Sequence, residues 1–141
     1  MSTSPEGPTE AIARRVSALR QRKGLTRQQL GEALAARGVE WNRFTVSSLE
    51  NGKRQNVTVV ELLALARVLD VAPVHLLVPV EDEHPFLVTP NEPVPAGRAR
   101  PWVRGIVPLP GTDSRIFHTE VPLAELRAWS GEERPTPPLE G

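Results

Sequence analysis

Side chains suited to recognising nucleic acid are concentrated in residues 42–48. Arginine can donate two hydrogen bonds to guanine, asparagine can pair bidentately with adenine, and serine or threonine can contact either base. Four side chains of these types in this stretch are expected to face outward: Asn42, Arg43, Thr45 and Ser48. The pattern predicts a polar surface that reads base edges in a major groove.

Groups that could hold phosphates lie on both sides of this polar stretch. Thr26, Arg27 and Gln28 open a predicted helix, where backbone N–H groups and the helix dipole favour an anion. Lys53 and Arg54 follow the polar stretch and could contact the same nucleic-acid backbone. We predict that these five residues bind phosphate. An ordinary solvated charge cluster is the alternative for Lys53 and Arg54.

Two predicted helices must position these side chains. The first starts at Thr26, which forms a capping box with Gln29, while Leu25 and Leu30 occupy the positions of a hydrophobic staple. Gly38 is expected to close this helix after Arg37. The second helix is expected to start at Asn42 as N-cap and to end at Asn51-Gly52, with Val46 and Leu49 facing the core.

Three further helices are predicted around these two. Residues 9–23 place Ile12, Val16 and Leu19 on one face of an amphipathic helix. A second capping box is formed by Thr58 and Glu61, and Pro73 suits the first position of a short final helix. The expectation is five short helices around one Leu/Val/Ala core.

Short motifs over residues 10–78 resemble a known family. They are Leu25-Thr26, Gln29-Leu30, Val46-Ser47, Leu49-Glu50 and Asn51-Gly52-Lys53-Arg54, followed by Leu62, Leu65, Ala66, Leu69, Val71 and Leu76-Leu77. These motifs resemble the Cro and lambda-repressor-type helix-turn-helix, also called the xenobiotic-response-element family. The resemblance implies an all-α, five-helix lambda-repressor-like domain. Such a domain inserts its third helix, here near residues 42–50, into the major groove, commonly as a dimer on a palindromic operator.

The resemblance also implies roles for individual residues. Arg43, Phe44 and Ser48 match base-facing positions of the family. Phe44 departs from the usual polar residue there, so it either contacts a thymine methyl group or adds an aromatic ring to the core. Arg20 and Glu50 match a structural ion pair between the first and third helices. Glu50 is then architectural, because a carboxylate beside a phosphate would repel it.

The connection between the two central helices departs from the family pattern. It is longer than the usual tight turn, and residues 35–41 carry most of the excess. Trp41 is expected to pack in the bend. The longer connection leaves the choice of base-reading residues open.

The formal net charge of zero conceals two different halves. Residues 1–78 carry eleven Lys/Arg against seven Asp/Glu, whereas residues 79–141 carry six against ten. Twelve of the fifteen prolines also lie from position 79 onward. The basic front half is therefore the candidate for a polyanionic partner.

The predicted organisation has four parts. Residues 1–8 are expected to be disordered, 9–78 to form the helix-turn-helix domain, 79–101 to be a Pro-rich linker, and 102–141 to be a poorly structured extension. The extension contains strand-like runs at 102–107 and 115–121, a helix at 122–129 and a free tail. It either packs on the helical domain, extends a dimer interface or binds a protein partner; a loosely ordered appendage is the alternative.

Several function classes are not expected. The chain has no cysteine, and His75, His84 and His118 are scattered, so we expect no metal site, no cofactor and no catalytic residues. The first ten residues lack the features of a secretory signal, and no apolar run is long enough to span a bilayer. The expectation is a soluble, cytoplasmic, nucleoid-associated protein without enzymatic activity.

The sequence is most consistent with a sequence-specific transcriptional regulator. We interpret it as a dimeric repressor that binds double-stranded DNA. An antitoxin-type regulator or a protein-interaction adaptor is the alternative. The adaptor hypothesis depends on the acidic, Pro-rich tail with Trp102 and Trp129.

Overall fold

The computed structural model describes residues 4–130, without the side chains of residues 129 and 130. The chain divides into two compact units after Ala99. The elements of the described part are α1 (Pro8–Arg22), α2 (Arg27–Ala35), α3 (Arg43–Glu50), α4 (Val59–Leu69), α5 (Pro73–Leu77), β1 (Pro85–Thr89), β2 (Glu92–Pro95), α6 (Ala96–Val103), α7 (Ser114–Thr119) and α8 (Leu123–Ser130). None of these helices is long and apolar enough to cross a membrane.

The helices of the first unit begin where local signals predict. Thr26 and Thr58 each accept a hydrogen bond from the backbone N–H three residues later, and both capping boxes are complete. Asn42 is the N-cap of α3, and Pro73 stands in the first turn of α5. Side-chain caps therefore fix the starts of α2, α3 and α4, Pro73 suits the start of α5, and these predicted starts are confirmed.

The end of α2 differs from the prediction by two residues. The helix stops at Ala35 instead of Arg37. Gly38 adopts a left-handed conformation with φ of +89°, and the N–H of Val39 returns to the carbonyl of Leu34. The chain thus leaves the helix through a compact turn that satisfies the terminal carbonyl.

One apolar core holds α1 to α5 together. The predicted face of α1 is confirmed, because Ile12, Val16 and Leu19 are all buried. Trp41 is also buried, as expected, and fills the space under the α2–α3 connection. The most deeply buried leucines come from four helices: Leu30, Leu34, Leu49, Leu65 and Leu76.

Residues 79–101 were expected to be an extended linker, and this prediction is wrong. β1 and β2 form an antiparallel hairpin, with Phe86 opposite Val94, and α6 begins at Ala96. Prolines are tolerated in β2 because it is an edge strand, where a missing N–H breaks no further ladder. The prolines alone therefore did not exclude a sheet, and the fold is helix-rich with a small sheet instead of all-α.

The expected disorder of residues 1–8 is also contradicted for the described part of that segment. The N–H of Glu6 donates to the carbonyl of Pro85, and the N–H of Leu87 donates to the carbonyl of Glu6, both at 3.0 Å. Glu6 therefore extends the sheet on the free side of β1. This pairing is tertiary, so nothing local in the sequence indicates it.

In the second unit the two predicted strands are absent. Part of 102–107 belongs to α6, and 115–121 overlaps α7. Asp113 explains the helix, since its side chain accepts a hydrogen bond from the N–H of Arg115 at 2.9 Å and caps α7. The predicted helix near 122–129 is confirmed as α8. The tail predicted for residues 131–141 lies outside the described residues.

Candidate nucleic-acid interface

The N-terminus of α3 is fixed by Asn42. Its Oδ1 accepts hydrogen bonds from the N–H of Phe44 at 2.9 Å and of Thr45 at 3.1 Å. The Thr45 hydroxyl also donates to this oxygen at 3.3 Å. Bidentate pairing with adenine would need the same Oδ1. In the folded chain this oxygen caps α3, with Thr45 as one of its donors, and base reading by Asn42 and Thr45 stays a prediction.

The exposed face of α3 is the name used here for its outward side, where Phe44 and the C-cap Asn51 are exposed and Ser47 and Ser48 are half-buried. These residues follow the spacing i, i+3, i+4 and i+7, opposite the buried Val46 and Leu49. Asn51 donates to the Ser47 hydroxyl at 3.2 Å. Ser47 and Asn51 were not among the predicted base-reading residues. Helical spacing counted from Phe44 would have identified both.

Phe44 is not a core residue, because 68% of its surface is exposed. The guanidinium carbon of Arg43 lies 4.7 Å from the centroid of its ring. Among the residues that the structure describes, Arg43 has no carboxylate partner. The core alternative for Phe44 is therefore excluded, and the start of α3 presents an aromatic ring together with an arginine.

A groove separates the start of α3 from the start of α2. It is lined by Arg20, Thr26, Arg27, Gln28, Arg43, Phe44 and Ser47. The structure therefore brings three predicted phosphate-binding residues next to two predicted base-reading residues. An elongated polyanion lying along this groove would meet the N–H groups at the start of α2 and the side chains of α3.

Glu50 holds α1, α2 and α3 in their relative positions. Arg20 donates to its two carboxylate oxygens at 2.7 and 3.0 Å, and also to the carbonyl of Leu25 at 2.8 Å. Arg27 donates to Oε1 of Glu50 at 3.1 Å. The hydrogen bonds that Arg20 donates to Glu50 outweigh burial and raise the pKa of Arg20. Only 2% of the Glu50 side chain is exposed, so its charge is satisfied inside the protein.

Arg27 contacts Glu50 and is also exposed on the groove. Its Nε is bound to Glu50, and one terminal nitrogen lies 3.5 Å from the Ser47 hydroxyl. The side chain nevertheless remains 43% exposed on the groove. Gln28, the next residue, donates to Glu32 at 3.1 Å on the exposed side of α2. Arg27 can therefore meet a phosphate while its position is set by Glu50.

Arg54 does not have the environment of a phosphate clamp. Both of its terminal nitrogens donate to Glu61 at 3.2 Å, and its guanidinium lies 4.8 Å from the Trp41 ring centroid. Trp41 also donates its indole N–H to Glu61 at 3.0 Å. Arg54 therefore has a structural role in the folded chain, and its contact with phosphate stays a prediction. Lys53 is exposed and has no partner among the described residues.

Glu61 is the centre of this second polar cluster. Burial alone would raise the pKa of its carboxyl, but hydrogen bonds from the Thr58 backbone, Trp41 and Arg54 stabilise the charged form. The net result is a lowered pKa. The cluster ties the α2–α3 connection and the α3–α4 loop to the first turn of α4.

No group of three or more His, Asp or Glu side chains in the described part of the chain is arranged as a metal site.

Comparison with protein families matches residues 11–77 to the model of a helix-turn-helix domain. Comparisons with curated proteins and with solved structures gave no significant match. The matched segment contains the groove and α3. Residues 11–77 are therefore a helix-turn-helix domain, consistent with the Cro and lambda-repressor type.

Proposed function

We propose that this protein is a sequence-specific transcriptional regulator that binds double-stranded DNA and acts as a dimeric repressor. The observation that carries the proposal is the exposed face of α3 beside the N-terminus of α2, within a helix-turn-helix domain. We further propose that the protein acts at the nucleoid in the cytoplasm, without an enzymatic step.

In the proposed complex α3 lies in the major groove. Arg43, Phe44 and Ser48 face the bases, and we add Ser47 and Asn51 to this set because they share the exposed face. The N-terminal end of such a helix meets the base edges, which suits the position of Arg43 and Phe44 as its first two residues.

Phosphate contacts are proposed at both ends of this surface. Thr26, Arg27 and Gln28 lie at the start of α2, where free N–H groups favour an anion. Lys53 follows α3 and carries an exposed, unpaired ammonium group in the described structure. Arg54 supports this region indirectly by holding α4 against the Trp41 ring.

A second copy of the chain is the proposed partner in the dimer. Support comes from α4, where Val59, Val60 and Leu63 are 71%, 69% and 53% exposed. These residues follow helical spacing, so they form one apolar strip. Adjacent exposed apolar residues of this kind are typical of association surfaces. A two-fold axis through this strip would present two copies of α3 to a palindromic site.

The proposal is tested by recovering DNA from a random-sequence library with the full-length protein. The expected result is enrichment of one motif with two half-sites spaced by about one helical turn of roughly 34–36 Å. Recovery of DNA without any enriched motif would contradict sequence-specific regulation. The Lys53→Ala variant should recover the same motif with lower yield, because phosphate contacts carry no sequence information.

A protein-interaction adaptor or antitoxin-type regulator is the second candidate. It is favoured by Ile116 in α7 and Leu123 in α8, which are 71% and 61% exposed. The adaptor would bind a protein through the second unit without needing α3. If Ile116→Asp abolishes a cellular complex of the full-length protein while Arg43→Ala leaves it intact, the adaptor function is supported; the reverse pattern would reject it.

A further inference from the structure

Arg43 and Phe44 form a stacked pair at the exposed start of α3. The pair consists of consecutive residues, which do not normally face each other on a helix. Here the arginine side chain nevertheless folds over the ring, with 4.7 Å between the guanidinium carbon and the ring centroid. Both side chains are exposed, so the contact is not enforced by burial in the core.

The apolar ring of Phe44 limits which features of the bases this residue can contact. Phe44 carries no hydrogen-bonding group, and the C5-methyl group of thymine is the apolar feature that base pairs offer in the major groove. A ring that is 68% exposed at the front of α3 would gain by covering such a methyl group. Phe44 is therefore matched to thymine.

The contact with the ring leaves the N–H groups of Arg43 available. A cation–π contact is an electrostatic attraction to the ring and supplies no acceptor oxygen or nitrogen for the five N–H donors of the guanidinium. These N–H groups have no carboxylate partner among the described residues. Contact with the ring restricts the motion of the Arg43 guanidinium. Less conformational entropy is then lost when the guanidinium pairs with guanine O6 and N7.

The separation within the pair indicates how far apart the two bases are. Neighbouring base pairs of B-DNA are about 3.4 Å apart, and pairs two steps apart are roughly 6.8 Å apart. The 4.7 Å between the guanidinium carbon and the ring centroid is nearer to the first spacing. A guanidinium and a ring this close together suit adjacent base pairs better than base pairs two steps apart.

We infer that Arg43 and Phe44 act as one reading unit for a thymine adjacent to a guanine in each half-site. The inference rests on the proposed function and goes further, because it names the base step and couples the two side chains. Removal of the ring should then weaken guanine recognition as well as thymine recognition.

The test uses the full-length protein and the motif that it selects from the random library. Replacing the contacted thymine by deoxyuridine removes the methyl group alone, and we expect affinity to fall about fourfold per half-site. Replacing the adjacent guanine by 7-deazaguanine removes the N7 acceptor, and we expect a loss of about tenfold. Both measurements are titrations of labelled duplexes at one fixed salt concentration.

Two variants test the coupling. Phe44→Ala should abolish the preference for thymine over deoxyuridine and also reduce the effect of 7-deazaguanine. Phe44→Leu is the matched control, since it keeps an apolar contact with the methyl group but has no aromatic face for Arg43. It should retain the thymine preference and lose part of the guanine preference. Phe44 is exposed, so both variants should show the helical circular dichroism of the parent.

The outcomes separate this inference from the function on which it rests. If no motif is selected, sequence-specific regulation itself fails. If a motif is selected but lacks adjacent thymine and guanine, or binds deoxyuridine as tightly as thymine, the reading unit is overturned while the function stands. A guanine preference unchanged in Phe44→Ala would likewise overturn the coupling.

Discussion

At the scale of single residues, the positions of the arginines beside α3 depend on one buried carboxylate, that of Glu50. Glu50 lies beside the groove, where an exposed carboxylate would repel a phosphate. Its two arginine partners satisfy it from α1 and α2, and one of them, Arg27, still reaches the groove. Glu50 thereby sets the positions of the two arginines that line the groove.

Replacing Glu50 should therefore be costly. Glu50→Ala leaves Arg20 and Arg27 without their shared carboxylate, and we expect the free energy of unfolding to fall by about 3 kcal/mol. Urea denaturation followed by circular dichroism measures the change. Glu40→Ala, which removes an exposed glutamate, is the control and should change the same quantity by less than about 0.5 kcal/mol. Equal effects of the two substitutions would reject the structural role of Glu50.

Glu61 should make the stability of the domain sensitive to acid. Its folded pKa is lowered from the ordinary value of 4.5. The unfolded chain therefore takes up the proton first, and the free energy of unfolding falls as the pH drops below 4.5 towards the folded pKa. We expect Glu61→Gln to be less stable than the parent at neutral pH and to lose less stability on acidification. Parallel pH profiles for the two proteins would contradict this account.

Single-residue roles were ambiguous from sequence where one side chain suits two partners. Asn42 suits both a helix cap and adenine recognition, and the structure uses its oxygen for the cap. Arg54 suits both a phosphate and a carboxylate, and Glu61 is present within the protein to take it. Sequence alone gives the chemistry of a group, but the fold determines which partner is within reach.

At the scale of elements, α2 and α3 approach each other closely at one glycine. A Cβ atom added to Gly31 would lie 2.8 Å from the backbone Cα and C atoms of Asn42. Backbone atoms cannot move aside as a flexible side chain can. The absence of a side chain at Gly31 therefore fixes how near the start of α3 lies to α2, and no sequence motif had indicated this contact.

Gly31→Ala should disturb the close contact between α2 and the start of α3. The added methyl group must push the start of α3 away from α2, and we expect a loss of about 1–3 kcal/mol in the free energy of unfolding. Affinity for the selected DNA should fall as well, because the groove residues separate. Ala35→Ser, at the exposed end of the same helix, should leave both quantities nearly unchanged. Full stability and affinity in Gly31→Ala would contradict the close approach.

Elements were predictable from sequence where their ends were set locally. The capping boxes of α2 and α4 involve residues three apart, so they are visible without the fold. The β1–β2 hairpin was missed because its prolines indicated a linker, and the pairing of Glu6 with β1 was missed because Glu6 lies about eighty positions earlier in the chain. The same limit applies to the groove, whose two sides come together only through the core.

At the scale of the whole molecule, the apolar strip on α4 leads to a prediction about association. Leu63→Asp places a charge in the strip formed by Val59, Val60 and Leu63, and should convert a dimer into a monomer. Leu63 is exposed, so folding should be unaffected. Analytical ultracentrifugation measures the mass, and Val80→Asp, at another exposed apolar residue, is the control. A parent protein that is monomeric, or a variant that stays dimeric, would reject this interface.

The most direct test of DNA recognition by α3 is the affinity of the full-length protein for its selected motif and for a scrambled duplex over a series of salt concentrations. We expect the motif to bind at least about 10³-fold more tightly than the scrambled duplex at physiological salt, and the logarithm of both affinities to fall linearly with the logarithm of salt concentration. Arg43→Ala should reduce the difference in affinity between the selected motif and the scrambled duplex. Equal affinity for both duplexes, or no binding at low salt, would contradict the account.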